Sequence, residues 1–357
     1  MDNMKSRSRT ITGCILGAAV GDSLGLPVEG MTRTRQARMF PHITGHGFLG
    51  HQGMVSDDTE HTLLVAQAMA VSGGDPEAFA VDLARRLKWW VAALPAGVGP
   101  ATLRACLRLL IGFSHRSSGV FSAGNGPAMR SAIIGAAYGH DSEKMKKLVL
   151  ASTQITHRDP KAYFGALAVA QMAAVSSIGE IGKPTDFVRS LAEELVDYDA
   201  NEFLGLCSQA AQSANAGHSV ARFLEKMNQP EGVGNYVYHT VPAVMQCWFR
   251  RPFDFRNAAL EMVRAGGDTD TSTSILGAVI GAGVGETGIP EQWVDGILEW
   301  PRTVEWMRKV ASTLAESVET EKPVTPPEVN PLAILARNAF FMAVVLGHGV
   351  RRMAPPY

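Results

Sequence analysis

The sequence predicts an all-α protein built as one compact domain. Three observations carry this. Apolar residues recur at three- and four-residue spacing in run after run, most of them flanked by Gly, Pro, Asp or Ser. Period-two strand patterns are scarce. No long polar linker divides the chain, so roughly a dozen helices or more must share one core. The 357 residues are 46% hydrophobic and 19% charged, enough to bury such a core.

The elements follow in order. A polar, basic start (1–10) precedes an apolar stretch, 11–28. The basic start suits a signal peptide, but Asp22 and Glu29 argue against one. Gly13, Gly17 and Gly21 recur every four positions, which fits a helix lying very close to a neighbour. Asp22 and Glu29 are carboxylates in an apolar setting. Burying either unpaired is costly, so each is expected beside a cation, a metal or a hydrogen-bond donor. Glu29 lies at the polar end, where a loop can carry it into a site. Helices are then expected over 63–70, 79–93, 102–112, 129–137, 163–175, 187–195, 219–226, 242–249, 255–263 and 271–281. The body is taken as 1–320.

The remainder, 321–357, begins with a proline-rich, extended linker, EKPVTPPEVNP (321–331). It delivers a last helix, 332 to about 346, with Gly347 and Gly349 as stop signals, docked on the body or on another subunit. The end of the tail is not expected to be helical. The segment 331–350 has the length of a short membrane span, but Arg337, Asn338 and His348 fall inside it, which favours a buried amphipathic helix.

Formal net charge is −1, which supplies no long-range field to gather nucleic acid or an acidic membrane. Four scattered cysteines, Cys14, Cys106, Cys207 and Cys247, form no CxxC pair. They read as thiols of a reduced, cytoplasmic protein.

Two acidic clusters carry the chemistry. The first, Ser56-Asp57-Asp58-Thr59-Glu60, precedes an apolar helical run. Asp57 and Glu60 have capping-box spacing, and acids suit a first helical turn. The second, Gly266-Gly267-Asp268-Thr269-Asp270-Thr271, also precedes a helix, and Asp268 is placed to cap it. Each cluster alone reads as a helix start. Asp270, however, is an acid that a cap does not need. If the two clusters meet, their four carboxylates require a cation between them. Oxygen ligands from Asp, Ser and Thr suit Mg²⁺ or Mn²⁺. Two supporting signals are a Gly124-Asn125-Gly126-Pro127 turn opening a helix, where backbone can approach a phosphate, and Thr156-His157 before another helix.

Taken together and in this order, these elements resemble the ADP-ribosylglycohydrolases. The resemblance rests on GAAVGDSLG (17–25) followed by Glu29, on Ser56-Asp57-Asp58-Thr59, on Gly124-Asn125-Gly126, on Thr156-His157 and on GGDTDT (266–271), and it spans about 9–290. It implies an orthogonal all-α bundle. It also implies two divalent cations, Mg²⁺ or Mn²⁺, ligated by Ser56, Asp57, Asp58, Asp268, Asp270 and Thr271. Ser56 stands where many members have threonine, and the hydroxyl survives. Glu29 matches a mobile glutamate near the metals, Asn125 and Gly126 match residues near the ribose and pyrophosphate, and His157 a pocket-lining residue. Glu29, Asp57 and Asp58 are the candidate proton acceptors. The implied reaction releases ADP-ribose from an acceptor, such as a protein arginine or a small molecule. Phe121 and Tyr236 are aromatic candidates for the adenine. The rival readings are a non-catalytic, crystallin-like ADP-ribose binder and a dimetal nucleotide pyrophosphohydrolase. The latter usually carries ExxE pairs within a helix rather than aspartates at helix starts.

Overall fold

A computed structural model describes residues 2–353 and 355, with side chains from residue 6 onward. Among the described residues it holds eighteen α-helices and no strand. The chain opens with α1 (Asp2–Gly25), a 3₁₀ turn (Leu26–Val28) and α2 (Arg33–Met39). After an irregular stretch come α3 (Asp57–Ser72), α4 (Pro76–Ala92), α5 (Pro100–Leu110), the short α6 (Gly126–Met129) and α7 (Ala132–Tyr138), then α8 (Ser142–Thr156) and α9 (Pro160–Ile178). Next are α10 (Pro184–Glu194), α11 (Asn201–Asn215), α12 (Val220–Lys226), α13 (Val237–Arg250) and α14 (Phe255–Val263). Finally α15 (Thr269–Val284), α16 (Glu291–Asp295), α17 (Val304–Thr320) and α18 (Pro331–Arg352) close the molecule.

The sequence punctuates these helices with short polar caps. Side-chain oxygens of Asp75, Asp141, Asp159, Ser219, Asp254 and Thr303 each accept an amide hydrogen of the first turn that follows.

The centre of the fold is the antiparallel pair α1 and α15. A β-carbon added at Gly13, Gly17, Gly21 or Gly25 falls 2.1–2.3 Å from the carbonyl oxygens of Gly281, Gly277, Thr273 and Thr269 respectively. The two backbones therefore touch, and the four-residue glycine spacing on α1 is what allows it. Arg9 on α1 donates to the carbonyls of Gly283 and Val284 at 3.0 and 2.8 Å, capping the far end of α15. Because the pair is antiparallel, the C-terminal end of α1 lies beside the N-terminal end of α15. That crossing fixes the position of the acidic residues at both ends.

Several expected boundaries differ. The run 129–137 is broken at Arg130-Ser131 into α6 and α7, and Arg130 is wholly buried there. The helix expected from Pro242 starts five residues earlier, with Pro242 inside it. The last helix runs through Gly347 and Gly349 to Arg352, and most of its surface is exposed rather than buried. Each internal glycine costs about 1 kcal/mol. That cost is offset by anchors between and beyond them: His348 Nε2 meets the Phe48 carbonyl at 2.7 Å and its ring stacks on Phe48, and Arg352 binds three carbonyls. Among the described residues two helical segments, Ser6–Val28 and Pro331–Arg352, are long and apolar enough to cross a membrane; the first lies largely within the buried core helix α1.

Candidate metal centre and active site

Three helix ends converge on one place: the last turn of α1 and the first turns of α3 and α15. Asp22, on α1, caps α3 from outside. Its Oδ2 accepts from Ser56 N (2.8 Å), Thr59 N (3.2 Å) and Thr59 Oγ1 (2.6 Å). Asp58 Oδ2 accepts from Ser56 Oγ (3.2 Å) and from Thr271 Oγ1 (3.1 Å), which joins the start of α3 to the start of α15. The two acidic clusters therefore meet.

The helix starts are not capped as the spacing suggests. Ser56, not Asp57, is the N-cap of α3, its Oγ accepting from Asp58 N. Glu60 does not reach back. It accepts from Trp90 Nε1 and pairs with Arg302 and Arg337. Asp268 occupies the N-cap position of α15 but makes no capping bond; its Oδ2 accepts from Asn125 Nδ2 at 2.5 Å. Both clusters thus leave carboxylates free of the capping role.

One carboxylate oxygen from each of Asp22, Asp58 and Asp270 lies within 4.8 Å of the others, and all three residues are buried. Their Oδ1 atoms are buried without a hydrogen-bond partner. Three clustered, buried carboxylates that each keep a partnerless oxygen are untenable without a cation or protons. The donors are all hard oxygens, which fits a hard divalent ion.

The acidities agree. Burial, opposed by bonds from Thr59 and Ser56, pushes Asp22 up to about 6. Burial and then the neighbouring acids hold Asp57, Asp58 and Asp270 well above the usual carboxylate range. Asp268 is raised by burial, with the Asn125 bond opposing. Asp57 is half-buried and, with Asp268, stands outside the tight group of three.

Glu29 follows the 3₁₀ turn on a loop sewn to the second cluster. Gly30 N donates to Gly267 O and Gly267 N to Met31 O, both at 2.8 Å. Burial, then Asp268, push Glu29 up to about 6, with the Arg352 charge opposing. Asn125 bridges Asp268 and Thr240 through Nδ2. His157 lies beneath the 124–126 turn: a β-carbon on Gly124 or Gly126 falls 3.2 and 3.1 Å from its ring. It is 2% exposed, its Nδ1 is 2.9 Å from Thr156 Oγ1, and burial holds it near 3, so the ring is neutral. Phe121 is exposed, and the Tyr236 hydroxyl accepts from Lys161 at 3.0 Å.

The sequence marks Asp22 as a carboxylate in need of a partner but does not place it beside the two acidic clusters. The signal was present, because an acid in the last turn of an apolar, glycine-spaced helix must face something polar. Thr240 and Arg352 were missed, because no local pattern marks them.

The profile of the ADP-ribosylglycohydrolase family matches residues 2–324. The chain is 28% identical to ADP-ribosyl-[dinitrogen reductase] glycohydrolase of Rhodospirillum rubrum, over 79% of this chain and 88% of that one. It is 26% identical to ADP-ribosylhydrolase ARH3 of Gallus gallus, over 87% and 95%. Among solved structures, an ADP-ribosylglycohydrolase-related protein complex superimposes with a TM-score of 0.67 at 25% identity, covering 88% of this chain and 99% of that one. The helical architecture, the converging acidic clusters and this match agree: the chain belongs to the ADP-ribosylglycohydrolase family, hydrolases that act on glycosyl bonds.

Proposed function

We propose that this enzyme removes ADP-ribose from an ADP-ribosylated acceptor, a protein arginine side chain being the first to test, and that it needs two divalent cations, Mg²⁺ or Mn²⁺. The observation that carries the reading is the trio of orphaned oxygens on Asp22, Asp58 and Asp270. Ser56, Asp57, Asp58, Asp268, Asp270 and Thr271 would hold the ions, with Asp22 facing the same space. When bound, the cations supply Lewis-acid polarisation of ribose hydroxyls and a water of lowered pKa.

The chain's own residues do the rest. Asn125 and Gly126 present a turn beside Asp268 on which the ribose and pyrophosphate rest. His157, neutral and buried, supports that turn rather than exchanging protons. Burial and neighbouring acids raise the pKa of Glu29, Asp57 and Asp58, which makes each carboxylate a stronger base than a free one and a candidate proton acceptor. The carboxylates around the site also favour the oxocarbenium-like charge that grows as a glycosidic bond breaks.

The test is product analysis. ADP-ribosyl-arginine incubated with the protein should release ADP-ribose in Mg²⁺ or Mn²⁺ and not after chelation. Full turnover in chelator, or cleavage at the pyrophosphate instead, contradicts the reading.

A further inference from the structure

The family profile ends at residue 324, yet α18 (Pro331–Arg352) is bound into the site from both sides. At its near end Arg337 is 2% exposed. Its Nη2 donates to Val55 O at 2.6 Å, one residue before Ser56, and its guanidinium pairs with Glu299. Glu299 in turn accepts from Val55 N at 3.0 Å. Asn338 donates to Ala93 O at 2.8 Å. Fifteen residues on, a helical distance of about 22 Å, Arg352 gathers the carbonyls of Leu26 (3.1 Å), Pro27 (2.7 Å) and Glu29 (2.7 Å). These are the carbonyls of the 3₁₀ turn and of Glu29 itself. The Arg352 carbonyl accepts from Arg35 on α2, and Arg351 lies 5.4 Å from the Phe40 ring centroid. Between the two ends Phe341 packs in a small apolar cluster with Leu26, Phe48, Met54 and Ala96.

We propose that α18 is a latch, and that Arg352 is the positioning residue by which it holds the Glu29 loop against the acidic centre. A single guanidinium binding three carbonyls of one turn fixes that turn's orientation. The segment is otherwise tied by the two backbone bonds to Gly267, by Thr269 Oγ1 to Gly25 O and Arg33 N to Glu231 O at its ends, and by the buried side chains of Leu26, Val28 and Met31. Arg352 is part-buried under the loop backbone; its hydrogen bonds go to the carbonyls of the Glu29 loop and to neither acidic cluster, and its charge acts first on Glu29 and then on Asp270, so it is a positioning residue rather than one that touches the substrate. The catalytic half of the claim rests on the hydrolase reading of this site; the structural half does not.

The experiment uses the full chain with Arg352→Met, which keeps most of the apolar stem and removes the donors, and Arg352→Lys, which keeps the charge. Hydrogen exchange is read peptide by peptide together with kcat and KM on ADP-ribosyl-arginine. The latch predicts that in R352M the 26–32 segment exchanges at least about tenfold faster while the α9 and α15 cores are unchanged. It also predicts that kcat falls about tenfold with KM within about twofold, as misplacement of a catalytic group requires; R352K falls between. Unchanged exchange at 26–32, or uniform acceleration across the whole chain in both variants, overturns the proposal. Faster local exchange in R352M, with no turnover of ADP-ribosyl substrates even by the unmodified protein, upholds the latch and removes the hydrolase reading.

Discussion

At the scale of single residues, the site is a balance of repulsion. Asp22, Asp58 and Asp270 crowd their oxygens together, and neighbouring carboxylates add to burial in raising the pKa of Asp58 and Asp270. Asp270→Asn should therefore have opposite effects on the two forms of the protein. The metal-free Tm should rise, because one buried negative charge has been removed. The gain in Tm on adding Mn²⁺ should shrink or vanish, and turnover should fall at least about a hundredfold, since a carboxylate ligand is lost. Thermal melts with and without Mn²⁺ check both parts. A different residue, Glu60, is the reverse case. It is buried, paired with Arg302 and Arg337, and bonded to Trp90. Glu60→Gln leaves two buried cations short of a partner and should cost about 3–5 kcal/mol in denaturant unfolding. Ser56, Asp57, Asp58 and Asp268–Thr271 were legible in the sequence because each cluster holds more acids than a cap needs. Asp22 was legible only as a carboxylate in need of a partner, since one acid among alanines and glycines does not say where it faces.

At the scale of elements, the α1–α15 crossing sets the site. With a β-carbon at Gly17 falling 2.2 Å from the Gly277 carbonyl oxygen, backbone would have to move. Gly17→Ala should destabilise the fold by about 1–3 kcal/mol or more. It should also weaken metal binding, because the crossing carries Asp22 to Asp270. Calorimetric melts and Mn²⁺ titration of the same sample check the pair of effects. The glycine spacing was readable and so was close packing; which helix lay opposite was not, because a four-residue glycine spacing, such as Gly277 and Gly281 on α15, marks a close-packing face without naming its partner. Helices with wide polar faces escaped the run-length reading, as at α8, α11 and α17. The length of α18 escaped it too, because local signals stop a helix at Gly347 and tertiary anchors on Phe48 and on the Glu29 loop carry it on.

At the scale of the whole molecule, one all-α domain was legible from periodicity alone, while the joining of its far ends was not. The acidic centre is assembled from residues near positions 22, 58 and 270, and α18 returns to both halves of it. The assembly has a pH signature. Asp22 and Glu29 rise from ordinary carboxylate values to about 6 in the folded chain. A raised acid binds its proton more tightly when folded, so in this window the native state holds more protons than the unfolded one. Metal-free stability should therefore be greatest on the acid side of the window and decline as pH rises from about 4 through 6. Divalent metal, which competes with those protons, should restore more Tm at pH 7.5 than at pH 5. Melting curves across that range, with chelator or Mn²⁺, read the difference directly.

Whether ADP-ribosyl hydrolysis depends on metal held at the acidic centre is tested by Mn²⁺ binding in equilibrium dialysis, measured beside ADP-ribose release on the same preparations. Two ions bound per chain, turnover that rises with occupancy, and loss of both in Asp58→Ala and Asp270→Ala are expected. Undiminished release of ADP-ribose from a chelated protein with no bound ion would contradict that dependence.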